Sequence, residues 1–455
     1  MKKLFPLLLI SLSVLTSCGS NGVNPTESAA ETVVAEPAAP EASGTNKTVV
    51  LITTDDMTPT VQRLIEEING SEKFKDSNVE FRLNPFEDRT KFEEQLTVAF
   101  MGNNAYSLIG DVWESFSPNI RFLEQGYWAD LNPFIKNYAD FNNSTQFMQV
   151  FEAAEYKGKL FYLPNHYTSD YVLINKNLHT ETINKFQTLD GISYLELFEF
   201  YNSVEDKQGL LFDEEFMPRK EIYWELVNFI DFDNKICNLN NPEVIDIMQR
   251  YKAIYDLDPT KNIAVSFLSL LWTYESDLAP SQQNMFRRVY GVVPQYVLPY
   301  NDNNFIQMIP ITDKNGNLLL GRTGGGPAIY EGSKNKDLAW EFLKYYNAEY
   351  GIKSLSSGRF VNKAKSDFSL EKLLKYCITE SPEHPLPGNE AEGIKLAIDI
   401  VNKIMERPVT SLVPNYFDVA QTVIEETFEM YLIGAITVEQ AAASMQNKVS
   451  IYMTE

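Results

Sequence analysis

Acidic and aromatic side chains follow two predicted strands, at the places where a ligand would meet them. Asp56 comes shortly after the β-branched strand predicted at 48–52, and Trp113 and Glu114 come after the strand predicted at 107–109. In parallel sheets, ligands bind at the carboxyl ends of the strands. A carboxylate accepts two hydroxyl groups, and an indole presents a flat apolar face with a polar edge. The pattern is typical of a site for a polar ring, with helix capping as the alternative for Asp56 and packing as the alternative for Trp113 and Glu114.

Several segments resemble parts of catalytic motifs, but none has all the residues or the spacing that the chemistry requires. The adjacent carboxylates Asp55 and Asp56 do not define the two acids across a scissile bond that glycoside hydrolysis needs. The segment 324–326, Gly-Gly-Gly, lacks the Lys and Ser or Thr of a phosphate loop, and 356–358 is not a nucleophile elbow. With three His and three Cys in 455 residues, no zinc-type spacing occurs. We therefore expect a binding protein with no catalytic residue, no cofactor and no metal.

The N-terminus carries a secretion signal that ends in a cysteine. Lys2 and Lys3 precede the apolar run 4–14, and Cys18 follows with Leu15 and Ser17 before it. A spanning helix is the alternative, but the run is shorter than the roughly 20 apolar residues required and contains a proline. Cleavage after Ser17, as in an ordinary signal peptide, is a second alternative. The arrangement resembles a bacterial lipobox, which predicts a signal peptide at 1–17 and acylation of Cys18.

The next 28 residues, 19–46, predict a tether. They are rich in Ser, Ala, Pro, Glu and Thr, contain no aromatic residue, and carry four Glu without a Lys or Arg. Such a segment cannot bury enough apolar surface to offset its ordering entropy. We expect 18–46 to be a disordered tether between the membrane and a folded body. The net charge of −23 argues against nucleic acid as a partner, because phosphates require clustered Lys and Arg.

The body alternates predicted strands and helices. Strands are predicted at 48–52, 79–83 and 171–174, and a helix starts at Thr58-Pro59 with Val61, Leu64, Ile65 and Ile68 on one face. Further helices are predicted at 192–201, 221–229, 336–346, 417–432 and 437–449, with another starting at Asn241. This alternation predicts an α/β fold built from βαβ units with a mostly parallel sheet.

Several segments, in order, resemble the family 1 extracellular solute-binding proteins, the carbohydrate receptors of ABC importers. They are 126–131 (Gly-Tyr-Trp-Ala-Asp-Leu), 158–164 (Gly-Lys-Leu-Phe-Tyr-Leu-Pro), 171–178 (Tyr-Val-Leu-Ile-Asn-Lys-Asn-Leu) and 334–343 (Lys-Asn-Lys-Asp-Leu-Ala-Trp-Glu-Phe-Leu). The resemblance implies a two-lobed periplasmic-binding-protein-like fold with hinge crossings and a central ligand cleft. The N-lobe would comprise 47–165 and 314–358, and the C-lobe 166–313 and 359–455. Crossings would lie near Pro164, Pro310 and Phe360.

The same resemblance implies ligand contacts in both lobes. In the N-lobe these are Asp56, Trp113 and Glu114, which were named above. In the C-lobe they are Trp272 and Tyr274 after an apolar run, Asp213 in a loop, and Tyr416 at the start of a helix. Core packing is the alternative for Tyr416, and a structural role is favoured for His166 at the first hinge.

Together these features predict a lipid-anchored receptor on the extracytoplasmic side of a bacterial membrane. It would be a monomer that captures a mono- or oligosaccharide by lobe closure and delivers it to the permease subunits of an ABC importer. A surface glycoside hydrolase or lyase, and a sensor or adhesion lipoprotein without transport, are the alternatives.

Overall fold

The computed structural model describes most of the body, and all of the described secondary structure lies in the compact unit Asn46–Glu455. The described residues are 47–54, 58–86, 95, 98, 106, 110–116, 120–167, 169–175, 180–203, 218–257, 286–290, 305–320, 326–349, 359–380, 390–412 and 418–454. The strands are β1 Lys47–Thr54, β2 Val79–Phe86, β3 Val112–Phe116, β4 His166–Tyr167, β5 Asp170–Asn175, β6 Ile230–Asp231, β7 Ile236–Cys237, β8 Phe286–Tyr290, β9 Phe305–Pro310, β10 Gly326–Ile329 and β11 Arg359–Phe360.

Helices cover much of the remaining described chain. They are α1 Thr58–Asn69, α2 Ile120–Glu124, α3 Asn132–Lys136, α4 Met148–Ala153, α5 Thr180–Gln187, α6 Tyr194–Ser203, α7 Pro218–Leu226, α8 Pro242–Leu257, α9 Lys336–Glu349, α10 Lys363–Glu380, α11 Glu390–Met405, α12 Asp418–Leu432 and α13 Val438–Thr454, with a 3₁₀ turn at Val227–Phe229. Within the described residues, no helix is both long enough and apolar enough to cross a membrane.

The first sheet has the strand order β10-β3-β1-β2. β1 runs parallel to β2 and to β3, and β10 is antiparallel to β3. Val49 and Leu51 of β1 are fully buried, which explains the β-branched and aliphatic run in that strand. The strands predicted at 48–52 and 79–83, and their parallel arrangement, are confirmed.

Helix α1 covers one face of this sheet. Val61, Leu64, Ile65 and Ile68 are all buried, as their helical spacing predicts. At the end of the helix, the Asn69 side chain donates to the Phe81 carbonyl at 2.8 Å and accepts from the Phe81 amide at 2.9 Å. This paired hydrogen bond links the end of α1 to β2 and sets the helix against the sheet.

The second sheet has the order β8-β5-β9, and both of its strand pairs are antiparallel. The expectation of parallel strands is therefore wrong for the described strands of this sheet. The reason lies in the chain path, because Tyr171, the second residue of β5, is paired with Pro310, the last residue of β9. β5 starts at that end of the sheet and β9 returns to it, so the two strands run in opposite directions.

The helices predicted from residue 192 onward are confirmed, with shifts of a few residues at their ends. α6, α7, α9, α12 and α13 occupy the predicted segments, and the 3₁₀ turn completes the segment 221–229. The cap predicted at Asn241 is also present, since its Oδ1 accepts from the amides of Glu243 at 2.9 Å and Val244 at 3.1 Å.

Candidate functional site

Trp113 and Glu114 lie within β3 and not after a strand. The strand predicted at 107–109 lies outside the described residues, whereas the described third strand is Val112–Phe116. Trp113 faces Ile52 on one side and Ala328 on the other, and its side chain is 3% exposed in the apolar core. The expected position beyond a strand is wrong, because pairing with Ile52 and Ala328 places Trp113 inside β3. The ring packs in the core, and its contact with a ligand stays a prediction.

The other predicted contacts belong to parts of the chain that the structure does not describe. Asp56, Asp213, Trp272, Tyr274 and Tyr416 lie outside the described residues, as does Cys18. The position of Glu114 in β3 is described, but its side chain is not. The ligand roles of these residues and the acylation of Cys18 stay predictions.

Asp111 is a structural carboxylate. It precedes β3 and is fully buried. Its Oδ2 accepts from the Val50 amide at 2.8 Å and from the Tyr106 hydroxyl at 3.2 Å, and its Oδ1 accepts from the Ser333 hydroxyl at 2.5 Å. Burial, followed by the Asp111 charge and hydrogen bond, raises the pKa of Tyr106 to about 12. These partners hold β1, β3 and the segment after β10 together at the start of β3, away from its carboxyl end.

Two short strands join the chain where the first and third lobe crossings were predicted. β4 and β11 pair antiparallel, with Phe360 opposite His166 and Arg359 opposite Tyr167. The Val361 amide donates to the Asn165 carbonyl at 2.9 Å, and the Phe147 amide donates to the Val361 carbonyl at 2.9 Å. The two segments therefore form one hydrogen-bonded unit, which we call the hinge.

Pro310, at the second predicted crossing, is the last residue of β9 in the second sheet. Its carbonyl accepts from the Ile192 amide at 3.1 Å, and the Thr312 amide then donates to the Ile192 carbonyl at 3.0 Å. On the side of the first sheet, the Leu163 amide donates to the Pro327 carbonyl at 2.9 Å. Strands of the first sheet come from the predicted N-lobe segments and strands of the second from the predicted C-lobe segments, while the lobe boundaries themselves stay predictions.

A buried lysine lies in the hinge. Lys365, near the start of α10, is 3% exposed, and its Nζ donates to Asn165 Oδ1 at 3.0 Å and to the Asn347 carbonyl at 3.2 Å. The ammonium also lies 4.3 Å from the centre of the Phe360 ring. Burial lowers the pKa of Lys365 to about 7, partly offset by the charge of Glu349. Burial and the Lys365 charge also lower the pKa of His166.

A cavity of about 390 Å³ lies between predicted N-lobe and C-lobe residues. Its lining combines the aromatic Trp224, several apolar side chains and four carboxylates. Two of those carboxylates are already engaged in turns, because Asp313 accepts from the amides of Asn315 and Asn317, and Asp231 accepts from Asn234. Among the described residues that line the cavity, none was predicted to contact the ligand.

Within the described residues, no three His, Cys, Asp or Glu side chains are grouped as metal ligands would be. Cys237 is a free, partly buried thiol whose pKa is raised by burial.

Solved structures provide the comparison that defines the fold. A sugar-binding protein, MalE from Xanthomonas citri, has a TM-score of 0.59 at 13% identity over 90% of this chain and 98% of that one. A family 1 extracellular solute-binding protein from Alicyclobacillus acidocaldarius has a TM-score of 0.53 at 12% identity over 91% and 100%. A cyclic α-maltosyl-1,6-maltose binding protein from Arthrobacter globiformis has a TM-score of 0.51 at 14% identity over 90% and 99%.

The chain has the two-lobed α/β fold of periplasmic-binding-protein-like, family 1 extracellular solute-binding proteins, and the resemblance seen in the sequence is confirmed at the level of the fold. No protein-family model matches the sequence, and no curated protein matches it.

Proposed function

We propose that this protein is a lipid-anchored receptor that captures a mono- or oligosaccharide between its lobes and delivers it to an ABC permease. The observation that carries the proposal is the fold, since the named neighbours that share it over about nine-tenths of the chain are binding proteins, two of them for sugars. Joined lobes that move about short crossings suit a protein that closes on its ligand.

The predicted contact residues supply the chemistry for a sugar. Indole and phenol rings stack on the apolar faces of a pyranose, while carboxylates accept its hydroxyl groups. Trp272 and Tyr274 would supply rings from the C-lobe, and Asp56 and Glu114 would supply carboxylates from the N-lobe. Closure would exclude water and so strengthen each of these hydrogen bonds.

A thermal-shift screen tests the ligand class. We expect at least one of glucose, galactose, xylose, maltose, maltotriose, cellobiose and xylotriose to raise the melting temperature, because a ligand at a hundredfold excess over Kd stabilises the native state by about 2.7 kcal/mol. Stabilisation by amino acids or other polar solutes, with none by sugars, would overturn the carbohydrate assignment. Breakdown of a bound oligosaccharide by the purified protein would instead establish the glycosidase alternative.

The predicted ring contacts provide a sharper test with a matched control. We expect Trp272→Ala to weaken binding of the sugar found in the screen by about tenfold or more, since an aromatic contact contributes on the order of 1 kcal/mol beyond the area it buries. Trp340→Phe is the control, because Trp340 is buried in the core between Phe134 and Phe141. Equal affinities of the Trp272→Ala variant and the wild type would remove Trp272 from the site.

Membrane anchoring is tested through Cys18. In a bacterial host we expect the wild type to sediment with membranes and Cys18→Ala to be found in the soluble fraction, because the acyl chains supply the attachment. Cys237→Ala, which changes a thiol in the body, should sediment like the wild type. Membrane retention of Cys18→Ala would contradict acylation at this position.

A further inference from the structure

Two Asn-Gly pairs lie among the described residues, in different surroundings. Asn69-Gly70 lies at the end of α1, and Asn315-Gly316 lies in the turn after β9. A third pair, at 21–22, lies outside the described residues. When glycine follows asparagine, the glycine nitrogen can approach the asparagine side-chain carbonyl closely, because glycine has no Cβ to hinder it. Both described pairs are therefore candidates for spontaneous covalent change.

The Asn69 side chain is held through both of its polar atoms. Its Oδ1 accepts from the Phe81 amide at 2.9 Å, and its Nδ2 donates to the Phe81 carbonyl at 2.8 Å. Ring closure requires the side-chain carbonyl carbon to swing onto the Gly70 nitrogen, and both hydrogen bonds must break before it can do so. The contact with β2 therefore protects Asn69.

The Asn315 side chain is exposed, and it forms no hydrogen bond with any described residue. The contacts of this turn are made by its main chain, since Asp313 Oδ1 accepts from the Asn315 amide at 2.8 Å and from the Asn317 amide at 2.9 Å. These bonds order the backbone and leave the Asn315 side chain able to rotate. Its carbonyl carbon can therefore turn toward the Gly316 nitrogen without the loss of a side-chain hydrogen bond.

The two glycine nitrogens are matched in their own hydrogen bonds. The Gly70 amide donates to the Glu66 carbonyl at 3.0 Å, and the Gly316 amide donates to the Asp313 carbonyl at 3.0 Å. Each nitrogen must leave one backbone acceptor before it can attack. The difference between the two pairs therefore lies in the asparagine side chains, of which one is fastened to a strand and the other is not.

We propose that Asn315 is a site of spontaneous deamidation in the folded protein. The Gly316 nitrogen gives its proton to solvent and bonds to Cγ of Asn315, and the bond from Cγ to Nδ2 breaks as ammonia leaves. Water then adds to one of the two carbonyl carbons of the resulting succinimide and opens the ring, which gives aspartate or isoaspartate. Water is the only co-reactant, and the inference does not depend on the proposed function.

The reaction changes both the charge and the backbone of a turn that has several contacts. Asp313 Oδ2 accepts from the Asn317 side chain at 2.9 Å, and the Gly316 carbonyl accepts from Arg407 Nη2 at 3.2 Å. Either product adds a carboxylate to this turn, and isoaspartate also lengthens the main chain between residues 315 and 316. Deamidation at Asn315 therefore makes the protein more acidic with time and, in the isoaspartyl form, disturbs these contacts.

Peptide mass spectrometry measures both pairs in one sample. The purified full chain is incubated at pH 8 and 37 °C, and aliquots are digested at acid pH, where the reaction is slow. We expect Asn315 to convert about tenfold faster than Asn69 or more in the folded protein, because two hydrogen bonds must break before Asn69 can react. Chromatography of the peptides separates the aspartyl and isoaspartyl products.

The unfolded chain is the matched control. In concentrated urea the two Asn-Gly pairs remain but Asn69 loses its partner Phe81, so we expect the two pairs to convert at rates within about threefold of each other. Asn315→Gln is a second control, because glutamine keeps an amide at this position but must close a larger ring. Conversion at 315 should then become undetectable, while Asn69 should behave as in the wild type.

Two results would overturn the inference. Equal rates at Asn69 and Asn315 in the folded protein, or a faster rate at Asn69, would show that the hydrogen bonds to Phe81 do not decide which pair reacts. An Asn315 that converts in urea and stays intact in the folded protein would show that the turn protects it. Neither readout involves sugar binding, so this inference and the proposed function fail separately.

Discussion

Two of the contacts between the predicted lobes, the hinge and the ion pair of Glu124 and Lys235, differ in burial and in the groups that form them. At the hinge, β4 and β11 exchange backbone hydrogen bonds, and a lysine that is 3% exposed donates to Asn165 and to the Asn347 carbonyl. Lys235 Nζ and Glu124 Oε2 lie 2.7 Å apart, and both side chains are about one-third exposed. The hinge is held by backbone hydrogen bonds, whereas this ion pair is made of side chains that can separate and reform.

Substitutions at these two contacts should have different consequences for stability. Buried polar groups in a hinge are costly to leave without partners, so changes there should lower the stability of the whole fold. A partly exposed ion pair contributes little to stability. Changes at the hinge should therefore lower the stability of the fold, whereas loss of the Glu124–Lys235 ion pair should change it little.

The largest effect is expected from a substitution that disrupts the contact between the first sheet and the chain just before the hinge. Gly326 lies so close to the chain before the hinge that an added Cβ would be 2.0 Å from the Leu163 carbonyl oxygen. We expect Gly326→Ala to lower the free energy of unfolding by about 3 kcal/mol, because backbone must move to accept the methyl group. Chemical denaturation measures it. Gly70→Ala, whose Cβ would be 3.3 Å from the Glu66 carbonyl oxygen, is the control and should change it by less than about 1 kcal/mol.

A second effect, of intermediate size, concerns the charge on Lys365. Its pKa is lowered to about 7 by burial, so between pH 7 and pH 9 the folded protein releases this proton while the unfolded chain keeps it. The unfolded state then binds more protons, and the free energy of unfolding should rise with pH by about 2 kcal/mol from this group over that interval. The rise should be lost in Lys365→Met.

Denaturation curves at pH 7, 8 and 9 measure this contribution as the difference between wild type and variant. Lys363→Met is the matched control, because its ammonium pairs with Glu406 at 2.9 Å at the same end of α10. A pH dependence that is identical in the wild type and in Lys365→Met would show that Lys365 does not titrate in this interval.

The smallest expected effect is on the stability of a variant that loses the Glu124–Lys235 ion pair. Lys235→Met should change the free energy of unfolding by less than about 1 kcal/mol, since exposed ion pairs contribute about that much at most. The measurement is chemical denaturation without ligand at neutral pH. A loss of 2 kcal/mol or more would mean that this ion pair supports the fold, and the contrast with the hinge would disappear.

Much of the first sheet could be predicted from the sequence because its signals are local. The aliphatic run of β1 and the spacing of Val61, Leu64, Ile65 and Ile68 in α1 follow from burial on a strand and on one helix face. The cap at Asn241 follows from the preference of helix ends for side chains that accept from the first amides. In these cases the partners lie within one element or next to it.

Features that depend on distant partners could not be predicted in the same way. The antiparallel second sheet follows from where the chain enters and leaves it, which strand patterns do not reveal. Lys365 lies in a stretch with Lys363 and Asp367 that is typical of an exposed helix start, yet its partner Asn165 is 200 residues away. Lys235 and Glu124 likewise carry no local signal for a contact. Hydrophobicity predicted that Trp113 follows a strand, whereas its pairing with Ile52 places it inside β3.

The central claim is that the two lobes close on a sugar, and small-angle X-ray scattering with and without the sugar found in the screen tests it most directly. The account predicts that the radius of gyration of the wild type decreases when that sugar is added at saturation, because the ligand selects the closed arrangement. A sugar that binds at saturation and leaves the scattering curve unchanged would contradict it.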